Sequence, residues 1–461
     1  MSRPPSSPVG RVADLPPEAS PALQQVARQL LAPIDRFLSV SASSGIVLMV
    51  AAAIALIWAN SPWQHSYHAL WHTKLVLGIG TWRVEPTLHF VVNDVLMVVF
   101  FFVVGLEIKR EVYTGELQDL RRAALPLAAA LGGMLLPAAI FLLFARGHDS
   151  ITAGWGIPMA TDIAFAVGIL ALLGARVPPS LRIFLLALAI IDDLGAIVII
   201  ALFYTAGVQW PGLVTAVAGV FAIRAFQWLA IRTPWLYVLP GAVVWVGVLQ
   251  AGVHPTIAGV IVGMMTPMRP WYGRQGFVAT TQRALEATAE HPDDGDRFAD
   301  ALDRVDVARR EAKAPGERIE HALHPWVAFG VMPIFAVANA GVSLDALQWD
   351  APAAVPLLLA VSVGLVAGKT VGIFATSWLT LRLGWAVAPD GVATRGLLVA
   401  GAVSGVGFTM SLFVASLAFQ DGAELEIARF AVVVASAVAA TFGLGLGRLL
   451  PRSRGAATVR P

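Results

Sequence analysis

The stretch Leu185-Leu186-Ala187-Leu188-Ala189-Ile190-Ile191-Asp192-Asp193-Leu194-Gly195-Ala196-Ile197-Val198-Ile199-Ile200 places two adjacent aspartates inside an apolar run. The run covers residues 180–204, and a helix that crosses a bilayer needs about 20 mostly apolar residues. An ionised side chain at the centre of such a helix costs ~2.5–3.5 kcal/mol to insert. The stretch therefore predicts a membrane-spanning helix that carries its charges for a functional reason.

The composition of the whole chain agrees with a membrane protein. Of the 461 residues, 57% are hydrophobic and 13% are charged, and the mean hydropathy is +0.72. Soluble domains carry about 25% charged residues, so both a soluble domain and a disordered chain are excluded. The chain has no cysteine, which excludes disulfide frameworks, thiolate metal sites and cysteine nucleophiles. The net charge of +2 gives no indication of a nucleic-acid partner.

Similar apolar runs recur from residue 42 onward and predict an all-α polytopic membrane protein with about twelve transmembrane helices. The predicted spans are 42–60, 90–108, 123–145, 151–172, 180–204, 211–231, 234–250, 253–268, 324–345, 353–380, 396–419 and 426–449. The seventh and eighth are short, and Gly252-Val253-His254-Pro255 separates them. They could form one bent hairpin instead.

Basic residues are distributed unevenly over the predicted loops. Twelve spans place both termini on one side of the membrane. Only Lys74, Arg83, Arg146 and Arg429 fall on the opposite side, and Lys369 falls within a span. Because Lys and Arg accumulate in cytoplasmic loops, both termini are predicted to be cytoplasmic.

The segments outside the spans complete the predicted organisation. It consists of a cytoplasmic tail 1–41 with a short amphipathic helix near 20–39, spans 1–8 within 42–268, a cytoplasmic insertion 269–317, spans 9–12 within 318–450, and a cytoplasmic tail 451–461. The external loop 61–89 includes an alternating stretch from Leu75 to Val84. That alternation predicts a small extracytoplasmic β-hairpin, since open strand edges cannot face lipid.

Four ionisable residues lie near the centres of predicted spans: Asp162, Asp192, Asp193 and Lys369. A structural salt bridge could explain one aspartate beside Lys369. It does not explain three, because surplus buried negative charge must be neutralised by protons or cations. Hard cations prefer oxygen ligands, so a cation and a proton would compete for these carboxylates. Such competition is the physical basis of cation/proton exchange.

Asp192 and Asp193 are expected to have different tasks. Adjacent residues on a helix do not face the same way. One of the two would bind the cation, and the other would meet Lys369 or take a second proton. The residues themselves leave open which is which.

Two predicted spans are interrupted by glycine and proline. One contains Gly154-Trp155-Gly156-Ile157-Pro158 just before Thr161 and Asp162, and the other contains Gly405, Gly407 and Thr409. They are the second members of spans 3–5 and 10–12, two units of opposite orientation. This arrangement predicts inverted-topology repeats with two broken helices that cross near the membrane midplane. The alternative is glycine used for close helix packing.

Several motifs, taken in order, resemble the NhaA family of bacterial Na⁺/H⁺ antiporters, an established example of inverted-repeat transporters. They are Val92-Asn93-Asp94, Gly105-Leu106-Glu107-Ile108-Lys109-Arg110-Glu111, Ala160-Thr161-Asp162-Ile163-Ala164-Phe165, Ile191-Asp192-Asp193-Leu194-Gly195-Ala196, Gly252-Val253-His254, Leu323-His324-Pro325-Trp326, Ala338-Asn339-Ala340-Gly341-Val342, Gly368-Lys369 and Gly407-Phe408-Thr409-Met410-Ser411.

The resemblance implies a role for each residue of the buried site. Asp193 would be the firmer cation ligand, and Asp192 would pair with Lys369. Thr161 and Asp162 would lie where the broken helices cross, with Asp162 offsetting the helix N-termini and Lys369 the C-termini.

The resemblance also implies an activity. The chain would be a transporter rather than an enzyme. It would exchange Na⁺ or Li⁺ for more than one H⁺ across the bacterial inner membrane by alternating access, and it would serve sodium extrusion and pH homeostasis. Net charge would move with each cycle, and no cofactor is expected.

The resemblance further implies regulation by pH. The residues that match the family's sensor region are Glu107, Arg110, Glu111, Glu320, His321 and His324, with His254 as a pH-response or dimer-contact residue. An ordinary juxtamembrane charge cluster is the alternative. The longer N-terminal tail, the 269–317 insertion, Glu317 and Ala322 depart from the family pattern. Residues 61–89 resemble the family's dimerising β arms, which implies a homodimer.

Three other functions fit parts of the pattern. A retinal protein would pair a lysine with aspartates, but twelve spans and glycine-broken helices argue against it. An intramembrane aspartyl protease would carry its two aspartates on separate helices, whereas Asp192 and Asp193 are adjacent. A sodium-coupled symporter of an organic solute is the closest rival, although it would need a roomier, more polar site.

Overall fold

The computed structural model describes residues 43–79, 82–205, 207–231, 233–290, 294–389, 391–419 and 422–451. The predicted N-terminal tail with its amphipathic helix lies outside the described residues. So do the C-terminal tail beyond Pro451 and the acidic residues 291–293.

The described part is almost entirely helical. Seven of its helices are long and apolar enough to cross a membrane: Leu88–Thr114, Arg121–Phe144, Pro179–Phe203, Trp210–Trp228, Pro315–Asn339, Ala354–Arg382 and Ala423–Arg448. Up to ten spans result if each of three bent helix pairs counts as one. Two shorter apolar helices, Pro234–Gln250 and Thr256–Met265, occupy the region of the seventh and eighth predicted spans. The helical membrane architecture follows the sequence prediction, and the count of twelve stays a prediction.

Three pairs of consecutive helices are sharply bent. They are Ser43–Ala59 with Gln64–His72 at 112°, Asp149–Met159 with Ile163–Leu173 at 46°, and Thr394–Ser404 with Phe408–Ala418 at 46°. The segment Asp149–Met159 is a 3-10 helix rather than an α-helix. It contains Gly154, Gly156 and Pro158, residue types that weaken a regular α-helix.

The helix Pro315–Asn339 begins and ends earlier than the apolar run 324–345 predicts. Pro315 occupies the first turn, where its missing N–H is not needed. The helix then continues through the charged residues Glu317, Arg318 and Glu320. An apolar run marks only the part of a helix that lies in lipid, so charged helical turns outside it are not detected.

The loop 61–89, which is predicted to be external, contains a helix that the sequence did not indicate, Gln64–His72. The strands Leu77–Ile79 and Trp82–Val84 follow and pair antiparallel, with Leu77 opposite Val84 and Gly78 opposite Arg83. Lys74 and Thr87 form a further isolated bridge. Polar residues such as Gln64 and His65 start the helix, which is why no apolar run indicates it.

The surface of the bundle is apolar, unlike that of a soluble protein, and its core is apolar as well. Outward-facing Ile57, Leu202 and Leu239 are 70–72% exposed, as expected of side chains that contact lipid. Asp193 and Lys369, by contrast, are at most 1% exposed. The charges that sequence reasoning placed within spans therefore lie inside the helix bundle.

Candidate functional site

The two bent segments contact each other at their breaks. Ala160, Thr161 and Asp162 are non-helical and separate Asp149–Met159 from Ile163–Leu173. The backbone N–H of Asp162 donates to the carbonyl oxygen of Val406 at 2.8 Å. The hydroxyl of Thr161 donates to the carbonyl oxygen of Ser404 at 3.1 Å. The first break thus supplies a hydroxyl donor to a carbonyl of the second segment, and the second break supplies a carbonyl acceptor to an N–H of the first. Buried backbone groups that lack a partner within a helix need such contacts.

The carboxylate of Asp162 joins two helix N-termini. As N-cap of Ile163–Leu173, its Oδ1 accepts from the N–H of Phe165 at 3.1 Å. Its Oδ2 accepts from the N–H of Thr409 at 3.1 Å and also from the Thr409 hydroxyl. Because a helix N-terminus carries partial positive charge, one aspartate offsets two such ends within the bundle.

Gly405 and Gly407 allow the break in the second segment to approach its neighbours. A Cβ at Gly405 would lie 2.6 Å from the carbonyl oxygen of Leu365, and one at Gly407 would lie 2.9 Å from that of Ala160. Both distances are below ordinary van der Waals contact, and both partners are backbone atoms. The glycines are therefore needed for close approach rather than for an unusual dihedral angle.

Lys369 is fully buried and donates hydrogen bonds both to an aspartate and to a residue of the first helix break. Its Nζ donates to Asp192 Oδ2 at 2.5 Å and also to the Thr161 hydroxyl. Since Thr161 in turn donates to Ser404, the ammonium is connected to the C-terminal end of Thr394–Ser404 through one hydroxyl. A π-helical turn, Gly364–Gly368, immediately precedes Lys369, and such turns are frequent at functional sites.

Asp193 differs sharply from its neighbour Asp192. Among the described residues, neither carboxylate oxygen of Asp193 has a hydrogen-bond partner, and Asp192 Oδ1 also has none. A buried carboxylate without a partner is costly unless a proton or a cation neutralises it. Three carboxylate oxygens beside the Lys369–Asp192 ion pair are therefore without a hydrogen bond among the described residues. Oxygen ligands of this kind suit a hard cation.

The residues proposed as a pH sensor separate into two places. Arg110 forms an ion pair with Glu320, and Glu107 and Glu111 lie on the same helix as Arg110. His321 and His324 lie on the helix of Glu320. His254 is not part of this group, because its Nε2 lies 3.6 Å from Asp94 Oδ1.

A family profile described as Na⁺/H⁺ antiporter 1 matches residues 35–446. The chain belongs to the Na⁺/H⁺ antiporter 1 family. It is 52% identical to the Na⁺/H⁺ antiporter NhaA 2 of Myxococcus xanthus, covering 96% of this chain and 95% of that one. It is 51% identical to NhaA 2 of Sorangium cellulosum, with 95% and 94% covered, and 47% identical to NhaA of Cupriavidus necator, with 94% and 93% covered.

A solved structure is much more distant. The sodium proton antiporter MjNhaP1 of Methanocaldococcus jannaschii covers 93% of this chain and 97% of its own length, at 14% identity and a TM-score of 0.49. Membership of the Na⁺/H⁺ antiporter 1 family rests on the profile and the NhaA relatives. These relatives are named as transporters, so this member is a transporter rather than an enzyme.

Sequence reasoning assigned no role to two hydroxyl groups around the breaks in this family member, those of Ser411 and Ser436. Ser411 donates to the carbonyl oxygen of Ile157 at 2.8 Å. Ser436, on the last helix, accepts from the N–H of Phe408 at 3.1 Å and so satisfies another N-terminal donor. The available signal was a small hydroxyl residue within an apolar run, which is too common in membrane helices to single out a site.

Proposed function

We propose that this chain exchanges Na⁺ or Li⁺ for more than one proton at Asp193 and Asp192, electrogenically and by alternating access, for sodium extrusion and pH homeostasis. Family membership supports Na⁺/H⁺ exchange itself. The observation that carries the site assignment is the contrast between adjacent aspartates. Asp192 is paired with Lys369, and Asp193 is buried with both oxygens unpartnered among the described residues.

Competition for the Asp193 carboxylate couples the two ions. In the low-dielectric interior, Asp193 is neutralised either by a proton or by a cation. A cation bound there would also attract the free Oδ1 of Asp192. Movement of Asp192 away from Lys369 lowers the affinity of the Lys369 amine for its proton, because a nearby negative charge is lost. Lys369 can then supply a second proton. Release of two protons for one monovalent cation moves net charge.

The paired breaks let this chemistry take place within the membrane. Asp162 offsets two helix N-termini, and Lys369 acts toward a C-terminal end through Thr161. These contacts support a crossing of broken helices within inverted repeats, as in other transporters of this architecture. Small relative rotations of the broken segments would expose Asp193 to either side in turn.

Regulation by pH is assigned to the cluster of Glu107, Arg110, Glu111, Glu320, His321 and His324. The Arg110–Glu320 ion pair joins two helices, so a change of charge there acts on their relative position. Carboxylate and imidazole groups of this cluster can each take up a proton. Protonation in this cluster would alter which arrangement of the two helices is favoured.

The cellular setting is proposed as follows. The chain lies in the bacterial inner membrane with both termini cytoplasmic, and it forms a homodimer through residues 61–89. Exposed tryptophans at helix ends fit the two interfaces of a bilayer. They include Trp63, Trp210, Trp228, Trp235 and Trp385.

Purified protein in proteoliposomes with an internal pH dye tests the exchange. Addition of Na⁺ or Li⁺ should move protons in the opposite direction, and clamping the membrane potential with K⁺ and valinomycin should change the rate. Asp193→Asn and Asp192→Asn should abolish exchange. Asp149→Asn, an exposed aspartate, is the matched control. Exchange retained in both site variants would refute the assignment. Movement of an organic solute with Na⁺ would refute antiport.

The same assay tests competition directly. Because protons occupy the cation site at low pH, the KM for Na⁺ should rise as the pH falls, with a smaller change in kcat. A KM independent of pH would show that cation and proton bind at separate places.

A further inference from the structure

Two motifs that the proposed exchange does not use, Val92-Asn93-Asp94 and Ala338-Asn339, are in direct contact. Asn339 Nδ2 donates to Asn93 Oδ1 at 2.9 Å, and Asn93 Nδ2 lies 3.4 Å from Asn339 Oδ1. Asn339 Nδ2 also donates to the carbonyl oxygen of Phe335 at 3.0 Å. Both asparagines are buried, so this reciprocal amide pair joins Leu88–Thr114 to Pro315–Asn339.

The same two helices are joined again at their other ends. Arg110 and Glu320 form the ion pair described above. At 1.5 Å per residue, Asn93 and Arg110 are about 25 Å apart along their helix. The two helices are therefore joined near both ends.

Asp94 attaches further helices to this pair. Its carbonyl oxygen accepts from Trp245 Nε1 at 3.0 Å, and its carboxylate lies 3.6 Å from His254 Nε2. His254 Nδ1 lies 2.8 Å from the hydroxyl of Thr256. The helices Pro234–Gln250 and Thr256–Met265 are thereby connected to this pair. The four helices are called the scaffold below.

Two scaffold rings and the ring of His254, which lies between two scaffold helices, surround one ring from a bent segment. Phe413 belongs to Phe408–Ala418 and is fully buried. Its ring centroid lies 5.3 Å from Phe101, 5.3 Å from His254 and 6.2 Å from Phe335. Hydrogen bonding fixes this socket on two sides, because Asn339 Nδ2 donates to the carbonyl oxygen of Phe335 and His254 Nδ1 is hydrogen-bonded to the hydroxyl of Thr256.

The socket lies beside the ion site. Thr409, which donates to Asp162, is one helical turn from Phe413, a rise of about 6 Å. Pro179–Phe203, which carries Asp192 and Asp193, packs against the scaffold helix Leu88–Thr114. In the orientation proposed above, Phe408–Ala418 runs from the site toward the external surface. An ion that leaves the site outward along the boundary between scaffold and bent segments therefore meets Phe413.

We propose that Phe413 is the external gate of the ion path, seated in a socket of Phe101, Phe335 and His254. An apolar aromatic constriction excludes water and ions when the ring is seated. Because Phe413 is carried by the bent segment and the socket by the scaffold, relative movement of the two withdraws the ring and opens the path. The role of this gate rests on the proposed function, whereas its position rests on the packing alone.

Thiol labelling tests the gate without relying on ion exchange. The full sequence has no cysteine, so Met410→Cys introduces the sole thiol, one turn nearer to the site than Phe413 and 1% exposed. A membrane-impermeant maleimide applied to the outside of intact cells should label Met410→Cys slowly. Adding Phe413→Ala should raise the rate at least tenfold, and adding Phe413→Leu should raise it less.

Phe141→Ala is the matched control, because Phe141 is also a fully buried ring but does not belong to the socket. It should leave the labelling rate of Met410→Cys unchanged. The gate is overturned if Phe413→Ala leaves labelling slow, if Phe141→Ala accelerates it equally, or if Met410→Cys alone is labelled rapidly. Size-exclusion profiles in detergent identify variants that fail to fold, and Phe413→Leu, which retains an apolar side chain, then decides the question. A chain that exchanges no ions would still give a clear labelling result, so the two proposals fail separately.

Discussion

Asp162 Oδ2 accepts a hydrogen bond from the backbone N–H of Thr409 at 3.1 Å, across 247 residues of sequence. The contact links the N-terminus of Phe408–Ala418 to that of Ile163–Leu173, which the same carboxylate caps. Two partial positive charges thus share one buried negative charge.

Removing the charge of Asp162 while keeping its shape should destabilise the crossing. We expect Asp162→Asn to lose about 1–4 kcal/mol, since each favourable helix-end charge contributes about 0.3–2 kcal/mol. Thermal unfolding followed by fluorescence-detected size exclusion measures the loss, with Asp149→Asn as control. Equal melting temperatures for Asp162→Asn and the control would contradict the charge argument.

The Lys369–Asp192 ion pair should show strong coupling in a double-mutant cycle. Lys369→Gln leaves a second buried carboxylate without its partner, at a cost of about 3–5 kcal/mol. Combining it with Asp192→Asn removes that charge and should restore most of the thermal stability. Exchange should nevertheless stay impaired in the double variant. Additive losses of stability would show that the two side chains act independently.

The glycine at the second break should tolerate no side chain. In Gly405→Ala the new methyl carbon would meet the carbonyl oxygen of Leu365 at 2.6 Å, so we expect lost exchange and lower stability. Gly445→Ala is the matched control, because nothing lies within 4 Å of its added Cβ. In a helix it should gain about 0.5–1 kcal/mol. Similar behaviour of both variants would refute the close-approach argument.

The Arg110–Glu320 contact should affect the pH profile more than the maximal rate. Glu320→Gln removes one charge of the pair, and we expect the rate-versus-pH curve to shift while the highest rate changes less than about threefold. Glu286→Gln, an exposed site on the insertion helix Gly273–Glu290, serves as control. If the two curves coincide, the proposed sensor cluster is only a juxtamembrane charge cluster.

Part of the site could be predicted from the sequence, because charged side chains within a membrane-spanning helix are energetically costly. Asp192, Asp193 and Lys369 interrupt apolar runs, and glycine and proline next to Thr161 and Thr409 indicate irregular backbone. Which side chains contact each other was harder to predict from the sequence, and the residues left open which aspartate pairs with Lys369. The contact between Asn93 and Asn339 spans 246 residues, and no local pattern predicts it. The contact of Ser436 with Phe408 could not be predicted either, since serine is common in apolar membrane helices.

The boundaries of elements were harder to predict than their existence. Gln64–His72 and the first turns of Pro315–Asn339 are polar helices, and an apolar run cannot reveal them. The Gly and Pro residues of Asp149–Met159 indicate a weakened α-helix, but they do not by themselves indicate the 3-10 conformation that the segment adopts.

Within the insertion, the helices Gly273–Glu290 and Gly295–Glu311 pack against each other. Two hydrogen bonds join the two ends of the insertion. The N–H of Tyr272 donates to the carbonyl oxygen of Glu311 at 3.2 Å, and the N–H of Gly316 donates to the carbonyl oxygen of Pro267 at 3.0 Å. The chain thus leaves the bundle and re-enters it at almost the same point. A segment with such close ends can be shortened, lengthened or replaced by a reporter domain at little entropic cost, because closure entropy changes slowly with loop length. Length variation among related chains should therefore concentrate between residues 268 and 315.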